Sequence, residues 1–234
     1  MKQVVQIRCK NNKKTQKVAN GSTLSDIFSS FNLKMEHGPV SAKVNNKVEG
    51  MHYRVYNNKD IEFLDMRTSS GSRAYTRTLF FVLCKAVQDL YPGHDVVIDI
   101  PVSNGFYVDV RLERDVTADD VDCIRKRMQE IVDARMPIRR YMVPTEDAIA
   151  LFEEKGDVEK VKLLRTSGSL YTAYYKIGEY VDFYYGTLLT NTSQLYLFGL
   201  EKYYDGMLLR IPSLKNPDEL GEVTRQDKMF EIFK

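Results

Sequence analysis

The stretch RAYTRTLFFVLCKAVQDLYPG, running from Arg73 to Gly93, decides how the rest of the chain is read. Tyr75, Leu79, Leu83, Val87 and Leu90 recur at helical spacing, and Phe80, Val82 and Ala86 widen the apolar stripe. Arg77, Lys85, Gln88 and Asp89 keep part of the surface polar. Pro92-Gly93 stops a helix, and the serine- and glycine-rich run at 67–72 reads as a linker. A helix of about five turns follows, buried on more than one side.

Towards the N-terminus, residues 3–9 read as a strand, Asn11-Asn12 as a turn and 14–18 as the hairpin partner. Ser22 or Thr23 caps a short helix whose Leu24, Ile27 and Phe28 face inward. Strands at 40–45 and 60–65 complete a small β-grasp domain over 1–66.

Towards the C-terminus, 96–102 and 106–112 are strands joined by a tight turn at Ser103-Asn104-Gly105. Thr117 caps the next helix, with Asp120 placed for a capping box and Val121, Ile124, Met128, Ile131 and Val132 as its buried stripe. Pro137 ends it, 138–143 is a strand, and Thr145 starts a helix with Ala148, Leu151 and Phe152 on one side. From Tyr171 the chain becomes strand-like and rich in tyrosine, with turns at 190–193 and 204–206. Asn216-Pro217 reads as a helix start whose apolar positions Leu220, Val223, Phe230 and Phe233 run to Lys234, so 216–234 is expected to lead into a further domain.

The 234 residues are 43% hydrophobic and 28% charged, with a net charge of +2, which is too small to argue for nucleic acid by itself. The charge is uneven: eleven Lys/Arg against six acids up to Asp65 leave that part at +5 and the remainder at −3. Lys10, Lys13, Lys14 and Lys17 form a basic hairpin tip, read either as a solvated loop or as a contact for RNA phosphates. Cys9, Cys84 and Cys123 are odd in number and scattered, so neither a disulfide framework nor a zinc knuckle is expected, and buried, reduced thiols in a cytoplasmic protein are. No apolar run is long enough to span a membrane.

The hairpin, Gly21-Ser22-Thr23-Leu24-Ser25-Asp26, Ala42-Lys43-Val44-Asn45 and Ile61-Glu62-Phe63-Leu64 resemble a TGS domain, a module of threonyl-tRNA synthetases and some GTPases. Leu90-Tyr91-Pro92, Asn104 to Asp109, the helix from Thr117, Gly156 to Val161 and Tyr180-Val181-Asp182 resemble the second additional domain of threonyl-tRNA synthetases, here 73–215. In that editing domain an HxxxH helix and a later Cys and His form the reactive cluster that removes misattached serine. The resemblance puts Arg77 and Phe81 at the two helical histidines, and Tyr184 and Leu188 at the Cys and His. All four family groups are thus replaced; phenylalanine and leucine can neither ligate a metal nor transfer protons and an arginine stays protonated, so no metal and no catalytic residue is expected. Tyr107, Lys160 and Asp182 match positions that line the editing pocket. Either they keep a binding site, or Asp182 pairs with Arg77 or Lys160 and only satisfies a polar cavity.

Tyr184 to Leu189, Lys202 to Pro212 and the ending from Asn216 resemble bacterial uridine kinase-like proteins, in which the two domains precede a P-loop kinase domain. No G-x-x-x-x-G-K-[ST] occurs here, so ATP and Mg belong only to a kinase domain expected beyond Lys234, the first partner of this chain. The overall expectation is an α+β protein of two domains. Its function is read as a non-catalytic regulatory or ligand-binding module for a nucleotide, an amino acid or an RNA end, bounded by Arg77, Tyr107, Lys160, Asp182 and Tyr184. An aminoacyl-tRNA editing hydrolase or tRNA-binding domain is the first alternative. A purely structural module that docks or dimerises, as a homodimer, through the tyrosine-rich sheet is the second.

Overall fold

Alternation in VVQIRC sends Val5, Ile7 and Cys9 to one face of strand β1 (Val4–Cys9), and all three are buried. The computed structural model describes residues 3–224. β1 pairs antiparallel with β2 (Lys14–Ala19), followed by β3 (Ser22–Thr23) and helix α1 (Leu24–Ser30). Thr23 and Asp26 cap α1 reciprocally, as a capping box. Next come β4 (Ser41–Val44), β5 (Lys47–Glu49), β6 (Arg54–Val55) and β7 (Lys59–Leu64). The sheet runs β2-β1-β7-β4-β5 with β1 and β7 parallel, while β3 and β6 form a separate short pair. Leu24 and Ile27 of α1 join Ile7, Ala42, Ile61 and Phe63 in one core. At the hairpin tip, the Asn11 carboxamide donates to the Phe63 carbonyl (3.0 Å) and accepts from the Phe63 N–H (2.8 Å), fixing the turn to β7.

Helix α2 (Ser69–Leu90) is longer than its apolar pattern suggests. The expected linker at 67–72 is instead its cap and first turn. The Thr68 hydroxyl accepts from the Gly71 N–H (3.0 Å), and serines are well tolerated where a cap satisfies the open N–H groups. A Cβ on Gly71 would lie 1.9 Å from the Asp65 carbonyl oxygen, so only glycine lets the helix start there. Two positions correct the expected stripe. Leu90 is exposed, and Lys85, expected on the polar face, is buried and paired with Asp89 at 3.0 Å.

β8 (Val96–Val102) and β9 (Gly105–Val110) form a hairpin whose turn residues Ser103 and Asn104 have φ of 51° and 55°. Helix α3 (Ala118–Asp133) carries the capping box of Thr117 and Asp120 and buries all five stripe residues. Asp120 also receives both Nη groups of Arg114 (2.6 and 2.8 Å) and the Tyr91 hydroxyl (2.7 Å). Led by the Arg114 guanidinium, these donors hold its carboxyl well below the usual carboxylate range. Burial and the Asp120 carboxylate push Tyr91 up to about 12.

The chain then forms a second compact unit, Pro137–Gly186, while Met1–Met136 and Thr187–Lys234 make up the first. The second unit contains β10 (Arg139–Pro144), α4 (Thr145–Glu154), α5 (Val158–Thr166), β11 (Tyr171–Ile177) and β12 (Tyr180–Phe183). Its sheet is antiparallel, in the order β10-β11-β12, and Ala148, Phe152, Val161, Leu164 and Val181 are its core. Back in the first unit, β13 (Gly199–Tyr203) and β14 (Gly206–Arg210) extend the hairpin into the order β13-β14-β9-β8.

The architecture is a mixed α+β one. The helix expected from Asn216 is not present over 216–224; Leu220 bridges to Pro212 instead, and the remainder of that expectation lies outside the described residues. All three cysteines are free, but Cys123 is exposed and Cys84 half-buried, which corrects the expectation of buried thiols. No helix among the described residues is long and apolar enough to cross a membrane.

Candidate ligand-binding site

The polar cluster of the second unit is built on two turns of sequence. Asp157 caps α5, its Oδ1 accepting from the Lys160 N–H (3.1 Å), and this places the Lys160 side chain one turn up the same face. Lys160 Nζ lies 2.7 Å from Asp157 Oδ2 and 3.0 Å from Asp182 Oδ1. It also sits 5.6 Å from the centre of the Phe152 ring. Asp182, in β12, is 6% exposed; its Oδ1 accepts from the Phe183 N–H (2.7 Å), and among the described residues its Oδ2 receives one long contact, from the Tyr180 hydroxyl (3.4 Å).

Burial raises the proton affinity of Asp182 above the ordinary carboxylate value, and the Lys160 ammonium only partly opposes it. Burial works to lower Lys160, but the Asp182 and Asp157 carboxylates outweigh it and hold the ammonium protonated. One cation therefore serves two carboxylates. Lys160 has little left to offer an anion, whereas Asp182 Oδ2 keeps acceptor capacity for an amine or hydroxyl. The pairing of Asp182 with Lys160 considered from sequence is formed, and Asp157 is its third member.

In the first unit, Arg77 and Phe81 lie one turn apart on α2. The Arg77 guanidinium contacts the Thr187 carbonyl (3.4 Å), and the Thr78 hydroxyl accepts from the Leu189 N–H (2.9 Å), strapping 187–189 to the helix. Phe81 and Leu188 are fully buried. These three positions offer a guanidinium and two hydrocarbon side chains, a set that supplies no metal ligand. Tyr184, in the second unit, is half-buried.

Tyr107, on β9, is paired in register with Leu208 and packs with Val102, Tyr203 and Leu208. A Cβ on Gly206 would stand 2.5 Å from the Val108 carbonyl oxygen and 2.7 Å from the Tyr107 hydroxyl, so β14 needs glycine at its start. One group escaped the sequence reading altogether: Glu36, His37 and Asp218, with His37 Nε2 2.8 Å from Asp218 and its ring stacked on Tyr196 at 4.0 Å. Residues so distant in the chain leave no local signal.

No protein-family model matches the chain. It is similar to threonine–tRNA ligases. That of Syntrophotalea carbinolica is 31% identical over 224 residues, covering 91% of this chain and 35% of the ligase. Those of Marinobacter nauticus and Acetivibrio thermocellus are each 28% identical over 181 residues, covering 77% of this chain and 28% of the ligase. The chain thus spans about a third of the length of these curated relatives. Likeness over most of the chain supports a domain related to threonyl-tRNA synthetase, and lends the uridine kinase setting no support.

Proposed function

We propose that this chain is a threonyl-tRNA synthetase-type domain that binds the aminoacylated 3′ end of a tRNA without cleaving its ester. The ligase relatives support the class of ligand. The observation that carries the binding role is Asp182 Oδ2, a buried carboxylate oxygen held in place by Lys160 and the Phe183 N–H yet short of donors. An α-ammonium or a ribose hydroxyl supplies that donor. The loss of hydrolysis is read from Phe81 and Leu188, which can neither hold a metal nor transfer protons, and from Arg77, which stays protonated, with Tyr184 in place of the thiol. The first 66 residues are read as the TGS-type β-grasp module, supported by the central parallel pair of β1 and β7 with α1 packed on their sheet.

A second reading has one observation in its favour. A buried aspartate with raised proton affinity is the kind of group that serves as a general base, so Asp182 could activate water in an editing hydrolase without metal. The ligase-type reading replaces the placement in a kinase-like parent, which rests on Tyr184–Leu189, Lys202–Pro212 and the ending from Asn216.

Titration with an amide-linked threonyl- or seryl-adenosine, which resists hydrolysis, tests the binding role. Saturable binding that Asp182→Asn weakens at least about tenfold is expected, the loss of one charge-assisted hydrogen bond. Absence of binding by the unaltered chain overturns the reading.

A further inference from the structure

Two turns distant in sequence carry polar side chains to one place in the first unit. The Gly38 N–H donates to the Met35 carbonyl (3.0 Å), closing a turn that presents Glu36 and His37. The Glu219 N–H donates to the Asn216 carbonyl (3.1 Å), and the Glu219 carbonyl accepts from the Ser213 N–H (2.8 Å), which sets Asp218 in a second turn. Tyr196 joins the two: its hydroxyl donates to the Pro217 carbonyl (2.9 Å), and the His37 imidazole stacks on its ring at 4.0 Å and 8°. Tyr75, fully buried on α2, meets Tyr196 edge-on at 5.5 Å and exchanges hydrogen bonds with the Leu197 backbone (2.8 and 3.0 Å). The imidazole is therefore held against a ring that is itself fixed.

One ligand atom from each of Glu36, His37 and Asp218 lies within 4.8 Å of the other two. His37 Nε2 is shut off from solvent and makes no hydrogen bond among the described residues. Asp218 Oδ1 stands 2.8 Å from it but out of line for one. A buried ring nitrogen in that state lacks the partner that its desolvation demands. The charges are out of balance too. Arg67 divides its guanidinium between Glu36 (2.9 Å) and Asp65 (3.6 Å), and among the described residues Asp218 has only the His37 ring. Three carboxylates against one permanent cation leave two negative charges, which one divalent ion cancels.

We propose that Glu36, His37 and Asp218 bind a divalent transition-metal ion of the zinc class, with His37 Nε2 as the fixed ligand and the two carboxylates closing on it. In the neutral tautomer that carries its proton on Nδ1, Nε2 offers a lone pair. Donors around zinc at about 2.1 Å stand about 3.4 Å apart, so a rotamer shift of about 1 Å by the exposed Glu36 and Asp218 completes the set. One imidazole with two carboxylates suits zinc and its first-row neighbours, whereas Mg²⁺ and Ca²⁺ prefer oxygen alone. The bound ion ties the turn at 35–38 to the turn at 216–219. This site shares no residue with the Asp182 cluster and does not rest on the reading proposed for it.

The test is titration of the full chain with zinc chloride, read by isothermal calorimetry and thermal melting, with Co²⁺ as the spectroscopic stand-in. One equivalent of zinc is expected to bind and to raise the melting temperature as its concentration rises, with Mg²⁺ at equal concentration doing neither. Cobalt should show the visible bands of a nitrogen- and oxygen-ligated ion without the intense near-ultraviolet band of thiolate ligation. His37→Phe keeps a ring on Tyr196 and removes the nitrogen, and Asp218→Asn changes an exposed side chain. Each should weaken zinc binding at least about tenfold. Arg67→Gln removes the cation that competes for Glu36 and should tighten binding about threefold. No zinc binding by the wild type, undiminished binding by His37→Phe and Asp218→Asn, or weakened binding by Arg67→Gln overturns the proposal. So does equal binding of Mg²⁺, or a thiolate band that Cys123→Ser abolishes.

Discussion

Lys160 Nζ stands 3.0 Å from Asp182 Oδ1, and removing either partner leaves the other charged group buried or half-buried without its main counter-ion. Asp182 is the more deeply buried of the two and bears the larger consequence.

Lys160→Met should therefore destabilise the protein by about 3 kcal/mol, since an unpaired buried carboxylate costs more than the pair contributes. The sign of the pH dependence follows from Asp182, whose folded proton affinity is already raised by burial and rises further without Lys160. Its contribution is fully present below the unfolded value near 3.9 and is lost as pH rises through the folded value. Urea unfolding should show a larger deficit at pH 7 than at pH 5. Adding Asp182→Leu should recover most of the loss.

Asp120→Ala removes the α3 cap together with the acceptor for Arg114 and Tyr91, and should cost about 2 kcal/mol at pH 7. Here the sign is opposite. The folded carboxyl titrates below the unfolded one, so its stabilisation is present above about pH 4 and fades as pH falls further. Thermal melts of wild type and variant should converge as pH is lowered from 7 towards 3. An equal gap at every pH would show that Asp120 acts through packing alone.

Gly71→Ala should lower stability by at least about 2 kcal/mol, because the added methyl would meet the Asp65 backbone carbonyl and not a yielding side chain. A melting temperature unchanged from wild type would contradict the close approach of α2 to residue 65.

Periodicity and caps carried much of the fold because they are local. The α3 stripe and its Thr117–Asp120 box are legible in one window of sequence, as is the Ser103-Asn104 turn. The start of α2 was hidden because Ser69 to Ser72 have poor helix propensity, and the reason they are helical, the Thr68 cap and the fit of Gly71 against Asp65, is tertiary. α5 buries only Val161 and Leu164 among charged neighbours, too thin a stripe to stand out. At the site, Lys160 and Asp182 come from the resemblance, which leaves Asp182 to pair with either Arg77 or Lys160. Asp157 was missed as a partner because its role as α5 cap had not been read.

Whether the ester survives contact with this chain is measured directly by the release of labelled amino acid from seryl- and threonyl-tRNA at neutral pH, with and without saturating protein. The account predicts release no faster than in buffer, and slower where the aminoacyl end is bound, with Asp182→Asn returning it to the buffer rate. Accelerated release by the wild-type chain that Asp182→Asn abolishes would contradict it and assign the cluster to hydrolysis.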